Sequence, residues 1–542
     1  QDGDNTIAAA HTLRDQLTVE ETAHLLHEAP AAYRCQLQDL LLVALVQTLS
    51  AWAGGQYLRI DLEGHGREEL EDEDLFDVSR TVGWFTSLYP VLFHTPSSGA
   101  DLDTWIKTIK EQLRAVLHKG VGYGLHRYVS EDQESVQQLQ AASPSQVIFN
   151  YLGQFDQMLE ALPLAPESSG LPAGTQNLRS HLFDVSAGIV AGQLHVMWTY
   201  STSRHRQETV EGLAQQFFSS LRQLLSHCLA PEAGSVTPSD VPLARVDQSF
   251  LDQLSIPAAQ IEDLYPLSPM QQGLLFHSLY APASGVYVEQ LICQLQGKLD
   301  LPAFEQVWQH LIAQHAILRT AFLWQEGQEP LQLVARQVAL PCRVLDWRAQ
   351  PAEQQQAELE VFLQEDRRTG FEVQQAPLMR LTLIRLSETQ TTVIWSHHHL
   401  LLDGWSTMML LQEVFAGYDA LWRKQRYQPE GRGLYREYIA WLQKQHTTQA
   451  QTYWQQYLAG VTLPTPLGVD REERAGSVVP GNVVYGEEVL KISLETSARW
   501  QELARQQQVT FNTLLQGAWA YVLSRYSGQT DVVFGQVVSG RS

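Results

Sequence analysis

Basic residues are the first thing this sequence lacks: 37 Lys and Arg stand against 60 Asp and Glu, for a formal net charge of -23. No Lys/Arg cluster is dense enough to neutralise a phosphate backbone, so nucleic acid is excluded as a partner. Cysteine is nearly as scarce. Cys35, Cys228, Cys293 and Cys342 lie far apart with no C-x-x-C pair, which argues against a zinc knuckle or a disulfide framework and for reduced thiols. No apolar run approaches the ~20 residues of a membrane helix, and the opening QDGDNTIAAAHTL has no basic stretch followed by an apolar one. These absences predict a cytoplasmic chain with no membrane partner. An initiator Met is missing too, and the chain stops at Ser542 directly after a strand-like run, as a window on a longer polypeptide would.

What is present is apolar material for large cores. Hydrophobic residues make up 44% of the 542, enough for two to four domain-sized units. From Cys228 through Pro269 six prolines are spaced through small and polar residues, a composition that resists helix and sheet. It predicts a linker over 229–260 between domains at 1–228 and 261–542. On both sides, helical periodicity (209–228, 301–322) alternates with strand-like runs (193–201, 378–386, 391–399), the pattern of mixed α/β or α+β layers.

The stretch from Cys35 to Glu68 is similar to the one from Phe511 to Ser542: an apolar helix, a Gly-containing turn, an apolar strand, then a Gly-Arg pair at Arg67 and Arg541. The two lie too far apart for a solenoid repeat and suit duplication of a whole domain. The chain then begins late in one copy and ends midway through the next.

The most specific local pattern is His398-His399-x-x-x-Asp403-Gly404. It reads as a buried strand running into His397, His398 and His399, a tight Asp403-Gly404 turn, and an amphipathic helix with Trp405, Met408, Leu411 and Val414 inward. A neutral imidazole at a strand end can take a proton from an attacking amine. Asp403, in a tight turn, is better suited to holding geometry than to moving protons. Successive strand residues point to opposite faces, so the three histidines do not converge on a metal ion.

With these residues in view, the second half resembles the condensation domain of nonribosomal peptide synthetases. LYPLSPMQQGLLFHSLY (264–280), HAILRTAF (315–322), SHHHLLLDGWS (396–406) and YREYIAWLQ (435–443) follow in that family's order. The resemblance implies a two-lobed fold like chloramphenicol acetyltransferase. It implies peptide-bond formation between an upstream thioester and a downstream aminoacyl amine, both carried on 4'-phosphopantetheine arms. His399 would be catalytic beside His398, Gly404 and Trp405 would shape the site, and Asp403 would pair with Arg541 from the following lobe. The MQQG and FHSL elements and the Leu-Asp-Gly-Trp-Ser form of the motif resemble the subclass that accepts a D-configured donor.

Residues 1–228 resemble the later half of an epimerization domain, through DLEGHGRE (61–68), RTVGWFTSLYPVLF (80–93), GVGYGLHRY (120–128) and IFNYLGQFD (148–156). Moving an α-proton from one face to the other needs two acid/base groups flanking the substrate. By resemblance Glu63 is the carboxylate base, Arg67 supports it, and Asn150 and Tyr151 line the pocket. Glu63 falls opposite Ser539 in the internal alignment. The runs 82–90 and 120–128 read as packing and bridging elements.

The first unit has no His-His-x-x-x-Asp-Gly of its own and the second none of the family's closing segments, so the resemblance implies two tandem incomplete units. The sequence also lacks a carrier-domain Gly-Gly-x-Ser and adenylation motifs. The implied partners are therefore upstream and downstream peptidyl carrier domains and an adjacent adenylation domain. Two rival readings are a coenzyme A-dependent acyltransferase of the same superfamily and a non-catalytic docking platform for carrier domains.

Overall fold

Seven consecutive residues of the helix Leu37–Ala53, Leu40 through Val46, are fully shielded from solvent. A helix apolar on all sides has to sit inside a layered domain, and this one is covered by the helices Leu102–Arg114 and Gln207–Cys228. The structure, a computed structural model, describes all residues except 1–2, 68–76, 98, 156–169, 171–172, 282–284, 426, 428–432, 468–487, 539 and 541–542. The chain divides into two compact units, Gln1–Asp263 and Leu264–Ser542.

The first unit is built on one six-stranded sheet. Its strands are β1 (Ala10–Gln16), β2 (Tyr57–Gly64), β3 (Ser87–His94), β4 (Val147–Gln154), β5 (Phe183–Val190) and β6 (Gln193–Ser201), in the order β1-β6-β5-β4-β2-β3. β2 runs parallel to β4, and β4 to β5; the other pairs are antiparallel. The β5–β6 hairpin closes through Ala191 and Gly192, both at positive φ (52° and 71°), the two-residue geometry that matches the twist of paired strands. Phe149, Trp198, Phe217 and Phe218 fill the core beneath.

The proline-rich segment 229–260 carries three short helical pieces, Pro238–Asp240, Gln248–Asp252 and Ala258–Gln260, and packs onto the first unit. Asp240 accepts from the Lys110 ammonium at 2.7 Å, an ion pair with almost no solvent exposure. Lys107 bridges Asp103 and Asp252, Glu111 accepts from Ser239, and Arg34 donates to the carbonyls of Ile261 and Glu262. Val236, Val241 and Leu251 are buried with these contacts. Prolines keep this segment from extended helix or sheet, yet side-chain pairing straps it to the helix Leu102–Arg114.

Among the described residues the second unit holds two sheets. β7 (Ile261–Pro266), which runs through the division between units, β9 (Thr320–Leu323) and β10 (Leu331–Ala335) form one, in the order β7-β10-β9. β8 (Val288–Gln296), β11 (Cys342–Asp346), β12 (Met379–Arg385) and β13 (Gln390–His398) form the other, in the order β11-β12-β13-β8. Trp308, from the helix Leu301–Gln314, packs on Trp395 of β13 with ring centroids 4.9 Å apart.

Two further sequence expectations change here. The periodic run 301–322 is α-helical only to Gln314 and continues as a short 3-10 turn, Ala316–Arg319; its end is taken into the strand Thr320–Leu323 by antiparallel pairing with β10. The helix Phe511–Ser527 forms and ends on a left-handed Gly528, as Leu37–Ala53 ends on Gly54. The run after it, 532–538, is not a strand. β2 is a strand because β3 and β4 take up its backbone groups, whereas Val533 is met by the Thr465 hydroxyl and Val537 and Val538 are exposed. Among the described residues no helix is long and apolar enough to cross a membrane, no cluster of His, Cys, Asp and Glu could hold a metal ion, and all four cysteines are free.

Candidate active sites

In the first unit the alternation Ile60-Asp61-Leu62-Glu63 sends Ile60 and Leu62 into the core and both carboxylates to the other face of β2. Parallel pairing sets Leu62 beside Phe149, which brings Glu63 next to Asn150 on β4. The Asn150 amide donates to Glu63 Oε2 at 2.5 Å. Both line a cavity of about 230 Å³ together with Tyr151, His65, Arg114 and Lys119. Burial pushes the Glu63 carboxyl above the ordinary carboxylate range, and the negative charge of Asp184 adds to the effect. Burial likewise raises the Tyr151 phenol. The cavity wall depends on Gly120: its φ is +75°, and a Cβ there would lie 2.0 Å from the Tyr89 ring.

Asp61 behaves in the opposite way. Burial pushes its carboxyl up, but hydrogen bonds from His181 (2.9 Å) and Ser145 outweigh that and hold it below its usual range. Arg67 reaches away from the cavity: it donates to the carbonyls of Thr81 (3.0 Å) and Gly83 (3.4 Å) and lies over the Phe85 ring, bracing the loop 81–85. That loop leaves Val82 and Trp84 almost wholly exposed. Asp61–His181, Arg114 and Lys119 escaped the sequence reading because their partners come from elements remote in the chain.

In the second unit, β13 delivers the three histidines as its alternation requires, and their surroundings differ sharply. His397 packs against Trp395 at 4.7 Å, and His398 is buried on the opposite face. Burial is the main reason both imidazoles are held down to about 4. The His398 ring is used at both ends. Its Nδ1 accepts from the Leu400 N–H at 3.1 Å, which leaves Nε2 as the protonated nitrogen, facing the Ser278 hydroxyl at 3.2 Å. His399 is the partly exposed one. It stacks on Tyr287, and its backbone N–H donates to the Tyr287 carbonyl at 2.8 Å. Its Nδ1 makes no hydrogen bond among the described residues and lies 3.7 Å from a Glu289 carboxylate oxygen.

Asp403 caps the helix Gly404–Trp422, accepting from the Ser406 N–H at 2.7 Å, and Gly404 is that helix's first residue. The helix buries Leu410, Glu413, Val414 and Gly417, spaced by three and four residues. Of the residues expected inward, Val414 is buried and Leu411 partly so, while Trp405 and Met408 are exposed at 63% and 57%. The inward stripe is rotated from the expected one because Glu413 turns in to bond His315 at 2.7 Å. Trp405 therefore stands on the exposed side of this helix. Arg541 and Ser539 lie outside the described residues.

The Condensation domain family matches residues 4–242 and again 261–542. A linear gramicidin synthase of Brevibacillus parabrevis is 43% identical over 544 residues, covering 99% of this chain and 7% of that protein. Bacitracin synthase 3 of Bacillus licheniformis is 36% identical over 98% of this chain and 8% of its own length. The chain thus spans a small part of the curated relatives it matches. Among solved structures, the epimerization domain from the third module of tyrocidine synthetase B is 35% identical over 42% of this chain and 50% of its own, with a TM-score of 0.39. The chain belongs to the condensation-domain family, as two successive matches of the condensation/epimerization type found in nonribosomal peptide synthetases.

Proposed function

We propose that the two units perform successive steps on one growing peptide: epimerization in the first (1–228), then condensation in the second (261–542), joined by 229–260. The substrates are thioesters and amines carried on the phosphopantetheine arms of neighbouring carrier domains. An adjacent adenylation domain supplies activated amino acids.

The observation that carries this reading is the difference in chemistry between two sites on related scaffolds: a half-buried carboxylate hydrogen-bonded by Asn150 at Glu63 and a partly exposed imidazole beside Glu289 at His399. A carboxylate with a raised pKa is suited to removing a weakly acidic α-proton, and an amide such as that of Asn150 can stabilise the negative charge that builds on the thioester oxygen. A second acid on the far side of the substrate returns a proton to the opposite face. In condensation the free amine attacks the donor thioester carbonyl. The C–N bond forms, the C–S bond breaks, the thiolate leaves on its carrier, and the amine proton passes to His399. Glu289, 3.7 Å away, is placed to steady the resulting imidazolium.

The test is the configuration of the joined residue. When the whole synthetase is fed an L-configured donor amino acid, chiral chromatography of the hydrolysed product should recover that residue in the D form. Recovery of the L form alone would contradict the order of steps.

A further inference from the structure

Gln271 is the third residue of the helix Pro269–Tyr280 and part of its capping box: Ser268 Oγ accepts from the Gln271 N–H, and Gln271 Oε1 accepts from the Ser268 N–H at 3.0 Å. That task needs only the oxygen, and glutamate would do it with a favourable charge toward the helix N-terminus. The amide nitrogen has a separate role. It points into the unit, donating to Gln332 Oε1 at 3.0 Å and to the Leu400 carbonyl at 3.1 Å. Tyr435 donates its hydroxyl to the remaining lone pair of Gln271 Oε1 at 3.1 Å. Both donors and both acceptor sites of the side chain are filled, with the residue 5% exposed and Gln332 fully buried. Gln332 is fixed in turn by donating to the Pro266 carbonyl.

We propose that Gln271 is a positioning residue for condensation, acting through the backbone that carries His399. Leu400, the next residue, is held on two sides: its N–H by His398 Nδ1 and its carbonyl by Gln271. The N–H of His399 itself is held by Tyr287. The imidazole is thus oriented by its neighbours' hydrogen bonds, and only an amide at position 271 can serve both the helix cap and the loop. A buried network with every member satisfied is rigid, so losing one donor frees the loop. The network also joins the opening segment, the histidine segment and the Tyr435 segment, three sequence blocks that are remote in the chain.

This inference rests on the proposed role of His399. Gln271→Glu in the whole synthetase keeps the cap but presents a carboxylate oxygen to two acceptors. It should lower kcat for condensation about 10- to 100-fold with KM for the carrier-bound amine within about threefold. Gln332→Met, a milder change that leaves the Leu400 bond, should lower kcat about threefold. Leu311→Ala, a core truncation that removes no member of the hydrogen-bond network, should lower the melting temperature at least as much yet leave kcat near wild type. A wild-type kcat in Gln332→Met and Gln271→Glu, or an equal kcat loss in Leu311→Ala, would overturn the proposal. Full activity in His399→Ala would instead overturn the catalytic assignment beneath it.

Discussion

The two sites solve one placement problem with different side chains. Each sets its reactive group at or just past the end of a strand, directly after a buried residue. In the first unit, Glu63 follows the core residue Leu62 and sits in a cavity with Asn150, and its carboxyl is pushed up by burial and by Asp184. In the second, His399 follows two histidines that burial holds down to about 4, and it alone of the three faces solvent. Burial therefore tunes the reactive group itself in one unit, and in the other neutralises its neighbours, which then serve as scaffold.

The largest effects should come from removing each reactive group. Glu63→Gln should lower α-proton exchange, and His399→Ala peptide-bond formation, by roughly 10²- to 10⁴-fold, the range for a positioned acid or base. Rapid-quench mass spectrometry reads both; a loss under tenfold in either would break the comparison at that site. Next is the strap of the first unit. Lys110→Met leaves Asp240 buried and unpaired and should cost about 3 kcal/mol, read as a lower urea midpoint of the first unit. An unchanged midpoint would mean that the strap adds nothing to the fold.

A smaller, pH-dependent effect should distinguish the second unit. His397 and His398 titrate near 4 when folded and near ~6.5 when unfolded. Between these values the unfolded chain binds more protons, so stability is fully present above about 6.5 and falls as pH drops toward 4. Urea midpoints measured against pH should show this slope, and His397→Phe should flatten it. The smallest effect is a shift in profile. Proton exchange should fail on the acid side as Glu63 becomes protonated, and Asp184→Asn, which removes a raising charge, should move that limb to lower pH. Movement to higher pH would contradict the assigned cause.

Much of this was legible in the sequence. The strands ending in the histidines and in Glu63, the Asp403 turn and the helices of both cores follow from local periodicity and capping, which the neighbouring residues dictate. What was not legible depends on partners remote in the chain. The rotation of Gly404–Trp422 follows from Glu413 meeting His315, and the folding of 229–260 onto the first unit follows from Lys110 meeting Asp240. The missing strand at 532–538 makes the same point, since β-forming residues become a strand only when another strand pairs with them. Gln271 entered the sequence reading only as part of the MQQG element, and nothing local reveals that its amide reaches Leu400, 129 residues away.

The central claim is that two chemistries reside in two separate sites, and a crossed measurement tests it most directly. Peptide-bond formation from a directly supplied D-configured donor and deuterium washout at the α-carbon of an L-configured one should be followed in Glu63→Gln and His399→Ala. The account predicts that Glu63→Gln loses washout and keeps bond formation from the D donor, while His399→Ala does the reverse. Loss of both activities in either variant, or of neither in both, would contradict it.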